Sequence, residues 1–139
     1  MQKQASNLLS IRARRPGLHE FTDEVVDFVA QSGISDGLLT IFCRHTSASL
    51  LIQENAALAA RRDLEAYFAR IAPEGANYEH DDEGPDDMPA HLRAALTQTH
   101  LSIPVQNGAP LLGTWQGIFL FEHRLDPQQR EIALHLVGE

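Results

Sequence analysis

Residues 37–47 read Gly37-Leu38-Leu39-Thr40-Ile41-Phe42-Cys43-Arg44-His45-Thr46-Ser47, and the rest of the chain is placed around them. The first seven are apolar or β-branched, too few for a stable helix and well suited to a pleated surface, so they predict a largely buried strand. That strand delivers Arg44, His45, Thr46 and Ser47 at its end. Towards the N-terminus, Leu8 to Arg12 alternates as a first strand and Pro16-Gly17 marks a turn. Thr22 suits a helix N-cap, with Phe21 and Val26 at staple positions. Val25, Val26, Phe28 and Val29 then form an apolar face before Gly33 stops the run. Towards the C-terminus, Ser49 to Gln53 predicts a short strand. Asn55 is read as the cap of a helix reaching Ile71, whose apolar face is Leu64, Tyr67, Phe68 and Ile71, and Pro73 ends it.

From Glu74 to Met88 the chain has turn residues and acids but no apolar period, the mark of a loop that is functional or disordered. Pro89 fits the first turn of a helix through about Thr97. The last third is β: Leu101 to Val105, a turn at Asn107-Gly108, a long alternating strand from Thr114 to Arg124, a turn at Leu125 to Gln128, and a final strand from Glu131 to Val137. About six to seven strands and about three helices make this an α+β chain.

With 139 residues, 43% of them hydrophobic, the chain buries about two-thirds of its unfolded surface in one core, so residues 1–139 are expected to form a single domain. No apolar run approaches the ~20 residues that cross a bilayer, and the first ten residues do not resemble a signal peptide. No membrane association and a cytoplasmic location are expected. Cys43 has no second thiol to pair with, which excludes a disulfide framework and leaves a packing role. A net charge of −8 without a basic stripe argues against nucleic acid. The acids cluster: Glu74, Glu79, Asp81, Asp82, Glu83, Asp86 and Asp87 follow one another with no Lys or Arg between Arg70 and Arg93. No phosphate-binding P-loop, dinucleotide fingerprint, H-E-x-x-H helix or nucleophile elbow is present, and the chain is too short for a (β/α)₈ barrel of ~250 residues.

Six ordered blocks carry a resemblance. His45-Thr46-Ser47-Ala48-Ser49, Glu54-Asn55, Asn77-Tyr78-Glu79-His80-Asp81, Asp86-Asp87-Met88-Pro89-Ala90-His91, Gly113-Thr114-Trp115-Gln116-Gly117 and Glu122-His123-Arg124 occur in this order. With the terminal Val137-Gly138-Glu139, the chain resembles the YjbQ-type secondary thiamine-phosphate synthase family from end to end. The resemblance implies a β-sandwich-like core, assembly as a homotrimer, and condensation of aminopyrimidine methyl diphosphate with thiazole phosphate, releasing pyrophosphate.

Under that resemblance His45, His80 and His91 are expected to converge as metal ligands, with Asp87 one helical turn before His91 to orient its ring. Three histidines with an open position suit catalytic zinc, whereas a metal that escorts pyrophosphate suits oxygen-bound magnesium. Both divalent metals stand as cofactors, with Asp81, Asp82, Asp86 or Asp87 as further hard-cation ligands. His45 is the first catalytic candidate. Gln116, Glu122 and Arg124 share a strand face. There Glu122 and Arg124 form either a plain ion pair or, in a pocket, Arg124 is a phosphate clamp and Glu122 a proton acceptor or metal partner. Thr46, Ser47, Asn55, Trp115 and Gln116 are the substrate-binding candidates, with Trp115 more in keeping with a core position. His19, His100 and His135 are read as surface or structural. Two functions follow: the transferase acting on phosphorylated small molecules, or a metal- or phosphate-binding protein or hydrolase for which thiamine chemistry is incidental.

Overall fold

The structure is a computed structural model that describes residues 1–75 and 77–139. Its elements run β1 (Lys3–Ala13), β2 (Gly17–Glu20), α1 (Thr22–Ser32), β3 (Gly37–Cys43), β4 (Ala48–Glu54), α2 (Leu58–Ile71), α3 (Asp87–Leu96), β5 (His100–Gln106), β6 (Ala109–Pro110), β7 (Gln116–Glu122) and β8 (Gln128–Gly138). A five-stranded sheet in the order β1-β8-β3-β5-β6 faces a three-stranded sheet in the order β2-β7-β4, and all pairings are antiparallel. This is the α+β sandwich the sequence predicts, with two short strands, β2 and β6, added to it. None of the helices described is long and apolar enough to cross a membrane.

Strand periodicity builds the core. Leu39 and Ile41 of β3, Leu101 and Ile103 of β5, Ile132, Leu134 and Leu136 of β8, and Ile118 and Leu120 of β7 meet between the sheets with α1 residues Val25 and Val29. Burying one such side chain contributes about 1.5–3 kcal/mol. The opposite face of β7 is buried as well: Phe119 and Phe121 pack with Leu18 under Leu64 and Phe68 of α2. A strand covered on both faces does not alternate as a half-exposed one does, so the alternating strand expected over residues 114–124 is instead a strand buried on both faces from Gly117 to Glu122.

Four expectations are corrected. β3 is not buried on both faces, since Leu38 and Phe42 are 44% and 46% exposed on the open side of the five-stranded sheet. Thr22 is the first residue of α1 and not its cap; its hydroxyl donates to Glu20 and accepts the Ile118 N–H at 2.9 Å, tying α1 to β7. Asn55 lies outside α2, because its N–H continues the β4–β7 ladder to the Trp115 carbonyl and the helix begins only at Leu58. Trp115 is not in the core: it precedes β7 and is 64% exposed. The hairpin signal is met by Asn107 and Gly108, both at positive φ, between β5 and β6. Cys43 is buried and its thiol faces the Ala48 carbonyl, with burial pushing its pKa up.

Candidate functional site

The acidic loop and the first turn of α3 place three ligand atoms together. His80 Nε2 lies 2.9 Å, and His91 Nε2 3.2 Å, from the same oxygen, Oδ2 of Asp87. Asp87 and His91 meet because residues four apart share a helix face. All three ligand atoms fall within 4.8 Å of one another. The hydrogen bonding makes this more than a surface cluster. His91 Nδ1 is 3.0 Å from the Thr46 carbonyl oxygen, which only accepts, so that nitrogen carries a proton. Nε2 of a neutral His91 is then a lone pair facing a carboxylate oxygen. A proton or a cation between the two is needed to relieve that arrangement. Ligands held about 2.0–2.1 Å from one ion stand roughly 3 Å apart, as the two imidazole nitrogens stand from Asp87 Oδ2. The residues present therefore fit a divalent ion, with two imidazoles, one carboxylate and open positions beyond them. Asp87 is buried, whereas the His80 side chain is 46% exposed, so the group opens to solvent on the His80 side.

Behind the ligands stands a second layer. Arg124 Nε donates to Asp86 at 2.9 Å, its Nη1 to Asp87 Oδ1 at 2.8 Å, and its Nη2 to the Glu83 carbonyl. Asp86 also accepts the Leu125 N–H. Burial works against charge on both aspartates. For Asp86 the Leu125 N–H and Arg124 outweigh it; for Asp87 the His80 hydrogen bond and the charges of His91 and Arg124 do so, and both carboxyls are held below the ordinary range. The bond to Asp87 raises the His80 pKa. Gly84 makes the loop possible: at φ +99 it adopts a backbone that a side chain resists, and a Cβ there would stand 3.1 Å from Asp86 Oδ1.

Arg124 is thus occupied by carboxylates and is not free as a phosphate clamp. Nor does Glu122 pair with its guanidinium. Glu122 and Arg130 form a buried ion pair, 1% and 4% exposed, with Arg130 Nε 2.6 Å from Glu122 Oε1. Glu122 Oε2 accepts the backbone N–H groups of His123 and Arg124, and Arg130 Nη2 reaches the carbonyl and hydroxyl oxygens of Ser47. A proton-acceptor or metal-partner role for Glu122 is therefore closed off by its partners. Ser47 is turned inward by Arg130, while Thr46 contributes its carbonyl to His91.

His45 does not join the metal group; Asp87 is the third member in its place. The reason is the Glu131 N–H, which donates to His45 Nε2 at 2.8 Å. That bond leaves Nδ1 as the protonated nitrogen of a neutral ring. Burial, then the Arg130 charge, push the His45 pKa down and favour the neutral form. His45 instead lines an open hollow of about 530 Å³ with Thr46, His91, Ala94, Ala95 and Thr99. A neutral ring of this tautomer keeps its Nδ1–H as a hydrogen-bond donor.

The remaining candidates are elsewhere. Gln116 begins β7 and Glu122 ends it, and six residues of strand span roughly 20 Å. Gln116 folds back to accept the Gly113 N–H, and Trp115 and Asn55 share its end of the sheet. One chain therefore does not bring Asn55, Trp115 and Gln116 to the histidines. His123, quoted only as part of a motif, is 1% exposed, with Nε2 2.9 Å from the Ser49 hydroxyl and Nδ1 unpaired. Burial, then the charges of Arg93 and Arg130, lower its pKa to about 3. Arg130 was missed, although β8 carries a signal for it: Arg130 stands in phase with Ile132, Leu134 and Leu136, the inward face of that strand.

Comparison with known proteins finds relatives over nearly the whole chain. The family described as UPF0047 protein YjbQ-like matches residues 7–139. A UPF0047 protein of Synechocystis sp. is 50% identical over 138 residues, spanning 99% of this chain and 94% of that one. The UPF0047 protein YjbQ of Escherichia coli O157:H7 is 43% identical over 132 residues, spanning 94% and 96%. Among solved structures, a YbjQ-like protein of unknown function from Sulfolobus solfataricus P2 superposes with a TM-score of 0.92 at 26% identity over 100% of both chains. An uncharacterised conserved protein of the family from Clostridium acetobutylicum gives 0.85 at 32% identity, over 92% of this chain and 97% of that one. The chain belongs to the YjbQ-like UPF0047 family.

Proposed function

We propose that this chain is a metal-dependent enzyme acting on phosphorylated small molecules, with the condensation of aminopyrimidine methyl diphosphate and thiazole phosphate as the transfer it performs. The observation that carries the metal part is the convergence of His80, Asp87 and His91 on one point, with the Thr46 carbonyl fixing the His91 tautomer and Arg124 holding the far oxygen of Asp87. A divalent ion there, zinc or magnesium, supplies a Lewis acid for a phosphoryl oxygen and for the charge of departing pyrophosphate. Two imidazoles and one carboxylate favour zinc over magnesium, which prefers oxygen. His45 Nδ1–H donates to substrate from the adjoining hollow. The thiamine part rests on the motif resemblance.

Metal-dependent hydrolysis is the second reading, and a specific observation favours it. Arg124, Arg130 and Arg44 are each paired with a carboxylate, so none of these three is spare for a second phosphate. A neighbouring subunit would meet that need. We propose a homotrimer built on the open face of the five-stranded sheet, where Leu8, Leu38 and Phe42 are exposed. A cytoplasmic location is proposed from the free thiol of Cys43.

Metal-stripped protein incubated with both precursors should form thiamine phosphate only after zinc or magnesium is restored, with saturation in each precursor, and His91→Ala should abolish it. Phosphate release from a single phosphate ester, with no condensation under any divalent ion, would establish the hydrolase instead.

A further inference from the structure

Three of the contacts that orient the His80–Asp87–His91 group and His45 come from segments joined to a single buried unit, the Glu122–Arg130 pair. Thr46, whose carbonyl takes the His91 Nδ1–H, precedes Ser47, and Ser47 is held by Arg130 Nη2 through both its oxygens. Glu131, whose N–H sets the His45 tautomer, follows Arg130 directly. Arg124, which holds Asp86 and Asp87, has its backbone N–H on Glu122, the carboxylate that Arg130 pairs with. Three separate segments, residues 45–47, 122–124 and 130–131, are thereby locked in register by one guanidinium. A guanidinium suits the task because its planar fork holds several acceptors at fixed angles, which an ammonium does not.

We infer that Arg130, with Glu122, is a positioning residue that sets the geometry of the His80–Asp87–His91 metal group and of His45, touching neither substrate nor ion. The inference rests on the reading that this group binds a divalent ion. Direct partners of ligands, here the Thr46 carbonyl and Arg124, typically cost 10- to 100-fold in metal affinity when lost, and removal of Arg130 acts through them.

Cobalt(II), whose visible spectrum reports coordination, is the probe. Wild-type protein, Arg130→Lys and the double variant Glu122→Leu/Arg130→Met are titrated with cobalt(II) by calorimetry and absorbance, with folding checked by circular dichroism. The double variant keeps the fold testable, because replacing a buried ion pair by apolar groups avoids stranding one charge. Ile41→Val, a core substitution remote from the three segments, controls for plain destabilisation. Cobalt binding 10- to 100-fold weaker in the folded Arg130 variants, with a shifted absorption band and no change in Ile41→Val, supports the inference. Wild-type affinity and spectrum in the folded double variant overturn it. If wild-type protein and His91→Ala both fail to bind cobalt(II), the metal reading itself falls and takes this inference with it.

Discussion

Titration of His123 offers a quantitative test of how tightly the second layer is packed. Its ring lies 4.3 Å from that of Phe121 and bonds the Ser49 hydroxyl, with Nδ1 buried and unpartnered. Its pKa of about 3 in the folded protein stands against about 6.5 in the unfolded chain. The unfolded chain therefore binds the extra proton first as pH falls. Stability is full above pH 6.5 and declines towards pH 3, with a slope of up to about 1.4 kcal/mol per pH unit and a ceiling of about 5 kcal/mol. At pH 4.5 the loss from this one group is on the order of 3 kcal/mol, a sizeable fraction of the stability of a domain of this size.

His45, also lowered, acts with the same sign, whereas His80, raised, stabilises the fold below pH 6.5 and loses that contribution as pH rises through its folded value. Asp86 and Asp87 enter only below their ordinary carboxylate range. Substitution separates these. His123→Phe keeps the packing on Phe121 and leaves the Ser49 and Thr97 hydroxyls bonded to each other. Urea unfolding at pH 7.5, 6.5, 5.5 and 4.5 should then show the slope between pH 6.5 and 4.5 reduced by about 1 kcal/mol per unit. An unchanged slope in a folded His123→Phe protein would refute a buried neutral His123.

Three further outcomes are expected. Arg124→Ala leaves the buried Asp86 and Asp87 without their cation and should cost about 2–4 kcal/mol in urea unfolding, somewhat less than a fully buried pair because Arg124 is itself part exposed. Ile41→Ala, at a fully buried position between the sheets, should cost about 2–5 kcal/mol while leaving metal affinity unchanged. Phe42→Asp places a charge on the open face of β3 and should convert the proposed trimer to monomers in light scattering without lowering the melting temperature of the single chain by more than a few degrees.

The fold was legible where local chemistry and tertiary packing ask for the same thing. Gly33 ends α1 in the left-handed conformation that only glycine accepts cheaply, and Asn107-Gly108 makes the tight hairpin its sequence announces. Caps failed where a polar side chain had a better partner across the fold. Thr22 was drawn to the Ile118 N–H and so was unavailable to its own helix, and the Asn55 backbone went to Trp115. Neither preference is visible locally, because the competing partner lies far away along the chain in both cases. Trp115 failed for a related reason: alternation counted from Phe119 assigns it a face, but β7 begins one residue later, and a periodicity says nothing beyond the end of its strand.

The site divides along the same line. Asp87 and His91 were linked from sequence because helical spacing is a short-range rule, and the structure keeps them 3.2 Å apart. His80 arrives from a loop that no periodicity describes, yet its motif brought it to the right place. His45 was displaced from the ligand set by one backbone N–H, that of Glu131, 86 positions away in the chain. Charge pairing shows the limit most clearly. Glu122 and Arg124 are two apart on one face, and an ion pair was the natural reading, but each found a partner from another segment: Arg130 for the one, Asp86 and Asp87 for the other. A pair two apart on an exposed strand is worth little, whereas a buried carboxylate cannot be left short of a donor. Burial therefore decides which partner wins, and what a single sequence shows of burial is the phase of Arg130 with Ile132, Leu134 and Leu136. A charge on the inward phase of a strand requires an opposite charge inside the same core, and Glu122, on the inward face of β7 with Ile118 and Leu120, meets that requirement.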